Sequence, residues 1–144
     1  MDRTITSASE ADTQAEAARL AAAMKGGDVL LLEGDLGAGK TVFARALIRA
    51  LADDSALEVP SPTFTLVQTY DTPRGTVWHF DLYRLEEPQE IYEIGWEEAL
   101  AGGIVIVEWP ERLAGLLPRN CRKIRFENTG ETARRLVVKE PEDR

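Results

Sequence analysis

Gly34-Asp35-Leu36-Gly37-Ala38-Gly39-Lys40-Thr41 fills the pattern G-x-x-x-x-G-K-[ST] without substitution. The segment constrains the fold as well as the chemistry, because a strand must lead into it and a helix must leave it. Both are present: Val29-Leu30-Leu31-Leu32 reads as a buried strand, and Val42 to Leu51 reads as a helix. Glycines let the backbone curl so that successive N–H groups point at one anion. The helix that follows adds its free N–H groups and the positive end of its dipole. In that arrangement Gly37, Ala38 and Gly39 wrap the phosphates, Lys40 reaches the β- and γ-phosphates, and the Thr41 hydroxyl binds Mg²⁺. The plain alternative is a glycine-rich turn with a solvated Lys40. It leaves the intact spacing and the strand–loop–helix context unexplained.

The remaining pattern is that of an α/β protein. With 144 residues, the chain suits one domain, 1–144, with a real core. Residues 3–6 read as a short strand. Ser9 reads as an N-cap with Asp12 in the first turn. Ala17, Leu20, Ala21 and Met24 then make one helical face, which Gly26-Gly27 should end. Thr63 to Tyr70 and Thr76 to Tyr83 are rich in β-formers, and Asp71 to Gly75 between them reads as a hairpin loop. Residues 88–101 read as helical with a break near Gly95. Ile104-Val105-Ile106-Val107 is apolar throughout, as in a sheet covered on both faces, and Pro110 should stop it. Strands near 121–127 and 134–139 follow, joined across Asn128-Thr129-Gly130. The expected architecture is a P-loop NTPase, three-layer α/β/α, with a mixed parallel and antiparallel central sheet.

Hydrolysis also needs carboxylates near the metal and a group to orient water. Glu108 ends the apolar strand, where such an acid belongs, although Asp is the usual residue there. Alternation puts Val77, His79, Asp81 and Tyr83 on one face of their strand, and Trp78, Phe80 and Leu82 on the other. The His79–Asp81 pair is either a site wall or a structural hydrogen-bonded pair. Ser61-Pro62-Thr63-Phe64, stiffened by proline, is either a loop that senses the γ-phosphate through Thr63 or a rigid crossover. Trp109 either shields the phosphates or touches the nucleotide, or else is a core or partner-facing aromatic.

Charge and cysteine usage narrow the functions. A net charge of −8 argues against free-standing nucleic-acid binding. The one basic patch, Arg119, Arg122, Lys123, Arg125, Arg134 and Arg135, reads first as solvent-facing strand positions and second as a partner or RNA contact. One Cys and one His leave no internal disulfide and no zinc site built from them, so a metal here is a hard cation held by oxygens. No apolar run spans a membrane, and residues 1–6 lack the apolar core of a signal peptide, so a cytoplasmic location is expected.

Four segments together resemble the bacterial TsaE (YjeE) family, the ATPases of tRNA threonylcarbamoyladenosine biosynthesis. They are the loop above, Ser61-Pro62-Thr63-Phe64-Thr65-Leu66-Val67, His79-Phe80-Asp81-Leu82-Tyr83-Arg84-Leu85, and Val107-Glu108-Trp109-Pro110-Glu111. The first is shared by many NTPases; the other three, in this order and spacing, are specific to the family. Ser9-Glu10-Ala11-Asp12-Thr13 also resembles the family's helix start beside the adenine, which implies Ser9 and Thr13 as nucleotide contacts.

The resemblance implies Mg²⁺-dependent binding and hydrolysis of ATP to ADP. It implies work with TsaB and TsaD, of which TsaD installs threonylcarbamoyl on the adenosine beside the anticodon, so that tRNA is met indirectly. It places Thr63 in a switch-like segment, Asp81 and Glu108 at the metal and catalytic acids, and Trp109 at the site aromatic. Val42 stands where the family often has a second Thr, which leaves the Mg²⁺ position at Thr41 unaffected. Two other classes remain as rivals: a small-molecule P-loop kinase, and a nucleotide-binding scaffold without turnover. A GTPase would need a guanine-reading N-K-x-D segment, which is absent.

Overall fold

The computed structural model describes residues 2–35, 39–61, 65–118, 121–130 and 133–141. Its centre is one seven-stranded sheet built from β1 (Asp2–Ser7), β2 (Val29–Glu33), β3 (Val67–Thr72), β4 (Gly75–Asp81), β5 (Ile104–Glu108), β6 (Arg122–Asn128) and β7 (Arg134–Lys139). The order across the sheet is β1-β7-β6-β2-β5-β4-β3. Strands β6, β2, β5 and β4 run parallel, whereas β1, β7 and β3 pair antiparallel to their neighbours. The sheet is thus mixed, as expected.

The apolar strands β2 and β5 sit in the middle, where both faces are covered. Leu30, Leu32, Ile104 and Ile106 join one core with α1 (Glu10–Ala21) and α2 (Lys40–Ala52). Val29, Leu31, Val105 and Val107 join a second core on the opposite face. That face is closed by a 3₁₀ segment Pro88–Ile94, the short α3 (Trp96–Leu100) and another 3₁₀ segment Pro110–Leu116. On α2, Phe43, Ala44, Leu47, Ile48 and Leu51 make the buried stripe.

Several boundaries differ from the sequence expectation. α1 stops at Ala21, well before Gly26-Gly27, and Met24 is buried from the turn that follows it. A residue with helical spacing can reach the same core from a non-helical backbone. β3 starts only at Val67, and β4 ends at Asp81 rather than Tyr83. The hairpin turn is tighter than expected, because Thr72 already pairs with Gly75. Residues 88–101 divide into a 3₁₀ segment, Pro88–Ile94, and the short α3. Pro88 supplies no N–H, and Gly95 at φ 97° separates the two pieces.

Gly95 cannot be replaced at no cost. A Cβ there would lie 2.7 Å from the Trp78 ring, in a left-handed conformation. Gly95→Ala should therefore lower stability by about 2 kcal/mol. The change should appear as a lower denaturation midpoint at unchanged m-value. An unshifted midpoint would show that Trp78 yields freely.

Candidate functional site

The parallel strands carry their chemistry at one edge of the sheet. Ligand sites of open α/β sheets lie beyond the carboxyl ends of such strands. β2 delivers Glu33 and Gly34 there, β4 delivers Asp81, and β5 delivers Glu108. Asp81 and Glu108 are register partners, and the backbone N–H of Leu82 donates to the Glu108 carbonyl at 3.1 Å, which extends the pairing past both acids. β2 lies on the other side of β5, with Leu32 opposite Glu108. Lys40 and Thr41 open α2 directly above this edge, behind Gly39 at φ 103°.

The side chains converge on a cavity of about 360 Å³ lined by Gly39, Lys40, Thr41, Asp81, Glu108 and Trp109, with Tyr83, Arg84 and Arg134 at its walls. The Thr41 hydroxyl donates to Glu108 Oε1 at 2.9 Å. Glu108 Oε2 lies 2.7 Å from His79 Nε2, and both side chains are fully enclosed. Asp81 is 4% exposed and accepts from the Tyr83 backbone N–H at 3.1 Å. His79 and Asp81 lie on the α2 side of β4, and Phe80 and Leu82 in the opposite core, as the alternation required.

Lys40 is 4% exposed. Its Nζ donates to the Gly34 carbonyl at 2.5 Å and stands 3.3 Å over the centroid of the Trp109 ring. Burial holds its pKa below the ordinary lysine range, while Glu108, Glu111, Asp81 and Asp35 pull it back up. Trp109 adopts a left-handed backbone, φ 61°, directly before Pro110. That conformation is costly for a bulky residue and persists only where the surroundings enforce it. Here it lays the indole under Lys40 and against Tyr83, with ring centroids 5.0 Å apart.

A smaller cavity of about 110 Å³ adjoins the first through Gly39, Val42 and Arg134, and is completed by Glu10, Thr13 and Phe126. Thr13 is thus brought to the site. Ser9 lines neither cavity and instead caps α1, accepting from the Asp12 N–H at 3.2 Å. Gly37, Ala38 and Thr63 lie outside the described residues. A larger cavity of about 560 Å³ runs along the outer side of α1 and α2, lined by Arg45, Arg49 and Asp53 among others, and shares none of the phosphate-loop residues.

The donor set fits a hard cation held jointly with a phosphate. Thr41, Asp81 and Glu108 offer only oxygens, beside a lysine for the anion. Among the described residues no three His, Cys, Asp or Glu side chains form a cage of their own, so phosphate and water would complete the coordination.

Sequence reasoning missed Arg134, grouped with a surface patch although it borders both cavities. The rest of that patch is largely paired with acids: Arg122 with Glu140 at 2.7 Å, Lys123 with Glu33 at 3.5 Å, and Arg125 and Arg135 with Glu127 at 3.2 and 2.9 Å. Arg119 is outside the described residues.

Comparison with known proteins identifies relatives over most of the chain. A family model described as "Threonylcarbamoyl adenosine biosynthesis protein TsaE" matches residues 7–136. A tRNA threonylcarbamoyladenosine biosynthesis protein TsaE from Rickettsia felis is 44% identical over 125 residues, covering 87% of this chain and 72% of that protein. Its Bacillus subtilis counterpart is 37% identical over 127 residues, covering 88% and 78%. The crystal structure of Bacillus subtilis YdiB matches with a TM-score of 0.76 at 28% identity, over 99% of this chain and 87% of that one.

Proposed function

This chain belongs to the TsaE family of threonylcarbamoyl adenosine biosynthesis proteins, and from that premise we propose that it is a single-domain, Mg²⁺-dependent ATPase. It acts in the cytoplasm with the TsaB–TsaD complex and meets tRNA only through that complex. Among the described residues no helix is long and apolar enough to cross a membrane. The observation that carries the reading is the Thr41–Glu108 hydrogen bond beside Lys40, in a cavity at the carboxyl ends of β2, β4 and β5.

Each residue has a task in this reading. Lys40 neutralises the terminal phosphates. Thr41, Glu108 and Asp81 would hold Mg²⁺, directly or through water, and the metal would neutralise charge on the phosphate oxygens. The carboxylates of Asp81 and Glu108 orient the attacking water, and one of the two accepts its proton. Trp109 covers the Lys40 side of the site, and Thr13 with Arg134 borders the nucleoside end. ATP hydrolysis by this protein alone, then with TsaB–TsaD and tRNA added, tests the reading. Slow turnover that the partners change is expected. Nucleotide binding with no turnover under either condition would leave a scaffold instead. Phosphate passed to a small molecule would make it a kinase.

The partners should sense the γ-phosphate. Leu66 adopts φ 69°, and its carbonyl accepts from the Asp81 N–H at 3.0 Å, so the backbone two residues beyond the Ser61–Phe64 segment is tied to that of a site acid. Affinity for TsaB–TsaD is expected to differ about tenfold between the ATP and ADP states, within the usual range of coupling energies. Thr63→Ala should shrink that difference while sparing ADP binding. Equal partner affinity with ATP, ADP and no nucleotide in the parent would confine the nucleotide's role to the chemical step.

A further inference from the structure

His79 is the only histidine of the chain and is 1% exposed. It lies on β4 opposite Ile106 of β5, two positions before Glu108, so its ring runs along the sheet face toward that acid. Nε2 is 2.7 Å from Glu108 Oε2, while Glu108 Oε1 accepts from the Thr41 hydroxyl. Groups from two different elements therefore hold the two oxygens of one carboxylate. His79 Nδ1 is buried and has no hydrogen-bond partner among the described residues.

These contacts select the tautomer. A proton on Nδ1 would leave a buried N–H unpaired and turn the Nε2 lone pair toward a carboxylate. A proton on Nε2 forms a charge-assisted bond and leaves only a lone pair unmatched. The bond also answers a problem set by residue choice. Glutamate at the end of β5 has one more side-chain torsion than aspartate, so its carboxylate needs an additional restraint to hold one orientation.

We propose that His79 is a positioning residue: its Nε2–H tethers Oε2 of Glu108 so that Oε1 stays aimed at Thr41 and the metal-facing side of the phosphate loop. The proposal deepens, and rests on, the ATPase reading of the site.

With one histidine in the chain, ¹⁵N-histidine NMR of the parent protein reports this ring alone. The Nε2–H tautomer is expected, both free and with Mg·ADP. The Nδ1–H tautomer would overturn the tether, whatever the protein's activity. Two variants extend the test. His79→Leu fills the space without a donor, and His79→Gln carries an amide N–H close to the position of Nε2.

Folded His79→Leu should bind ADP without Mg²⁺ within about twofold of the parent, yet need about 10–100-fold more Mg²⁺ for tight ADP binding and lose kcat by a similar factor, as supporting partners of metal ligands do. His79→Gln should recover most of both. The tether is wrong if His79→Leu keeps parental Mg²⁺ affinity and kcat, or if a folded His79→Gln is as impaired as His79→Leu. Should His79→Leu not fold, the tautomer and His79→Gln decide. A parent that never hydrolyses ATP would remove the enzymatic reading, while the tautomer and the Mg²⁺ titration of ADP binding would still decide the tether.

Discussion

Lys40→Ala should lower ATP turnover by about 10²–10³-fold, the usual loss when a group aimed at developing charge is removed. The chain should stay folded, because the ammonium is not a core group but a buried cation held between the Gly34 carbonyl and the face of Trp109. Lys40→Arg should not rescue it, since a planar guanidinium does not fit a niche shaped for a compact charge above one indole. The depressed pKa of Lys40 adds a second readout. Burial is its main cause. A bound phosphate favours the charged form, so binding raises the pKa again. Between the lowered pKa of the free site and the higher pKa of the complex, binding takes up a proton, so ADP affinity falls as pH rises through that window. Calorimetric titration at alkaline pH, in buffers of different ionisation enthalpy, should show more proton uptake in the parent than in Lys40→Ala. A Lys40→Ala protein that turns over ATP like the parent would remove the central assignment.

Much of this site is written in local pattern. The phosphate loop needs only its own eight residues and the apolar run before it. Glu108 could be placed because Ile104–Val107 reads as a covered strand, and Asp81 because alternation separates it from Phe80 and Leu82. What local pattern could not show depends on which strands are neighbours. The His79–Glu108 contact exists because β4 runs parallel beside β5 in a register that sets Asp81 against Glu108. Nothing in either segment states that pairing. Arg134 belongs to the same class: a basic residue on a late strand reads as surface until β7 is seen to bring it over Gly39. Trp109 shows a different limit. Its place under Lys40 requires a left-handed backbone that residue propensity disfavours, so tertiary context overrides local preference there. Met24 shows the same override in reverse: the helical spacing was real, but the helix had already ended.

Glu108 separates chemistry from structure because its two oxygens have different partners. Glu108→Gln keeps the shape and removes the charge. Its amide oxygen can accept from His79, and its NH₂ can donate to Thr41, whose hydroxyl can turn to become the acceptor. Stability should therefore change little. Turnover should fall by about 10²–10⁴-fold, because a neutral amide cannot take a proton from water and, with its oxygen turned to His79, presents NH₂ rather than oxygen to the metal. Glu108→Ala should lose turnover to the same degree and also lose about 1–3 kcal/mol of stability, since the buried Nε2–H of His79 is left without an acceptor. Adding His79→Leu to Glu108→Ala should return part of that stability, because the orphaned donor is then gone too. Thermal or denaturant unfolding of the four proteins, beside single-turnover ATP hydrolysis, reads both effects. If Glu108→Gln hydrolyses ATP like the parent, Glu108 serves only to hold Thr41 and His79 in place, and Asp81, its register partner across β4 and β5, must be the acid that works on water.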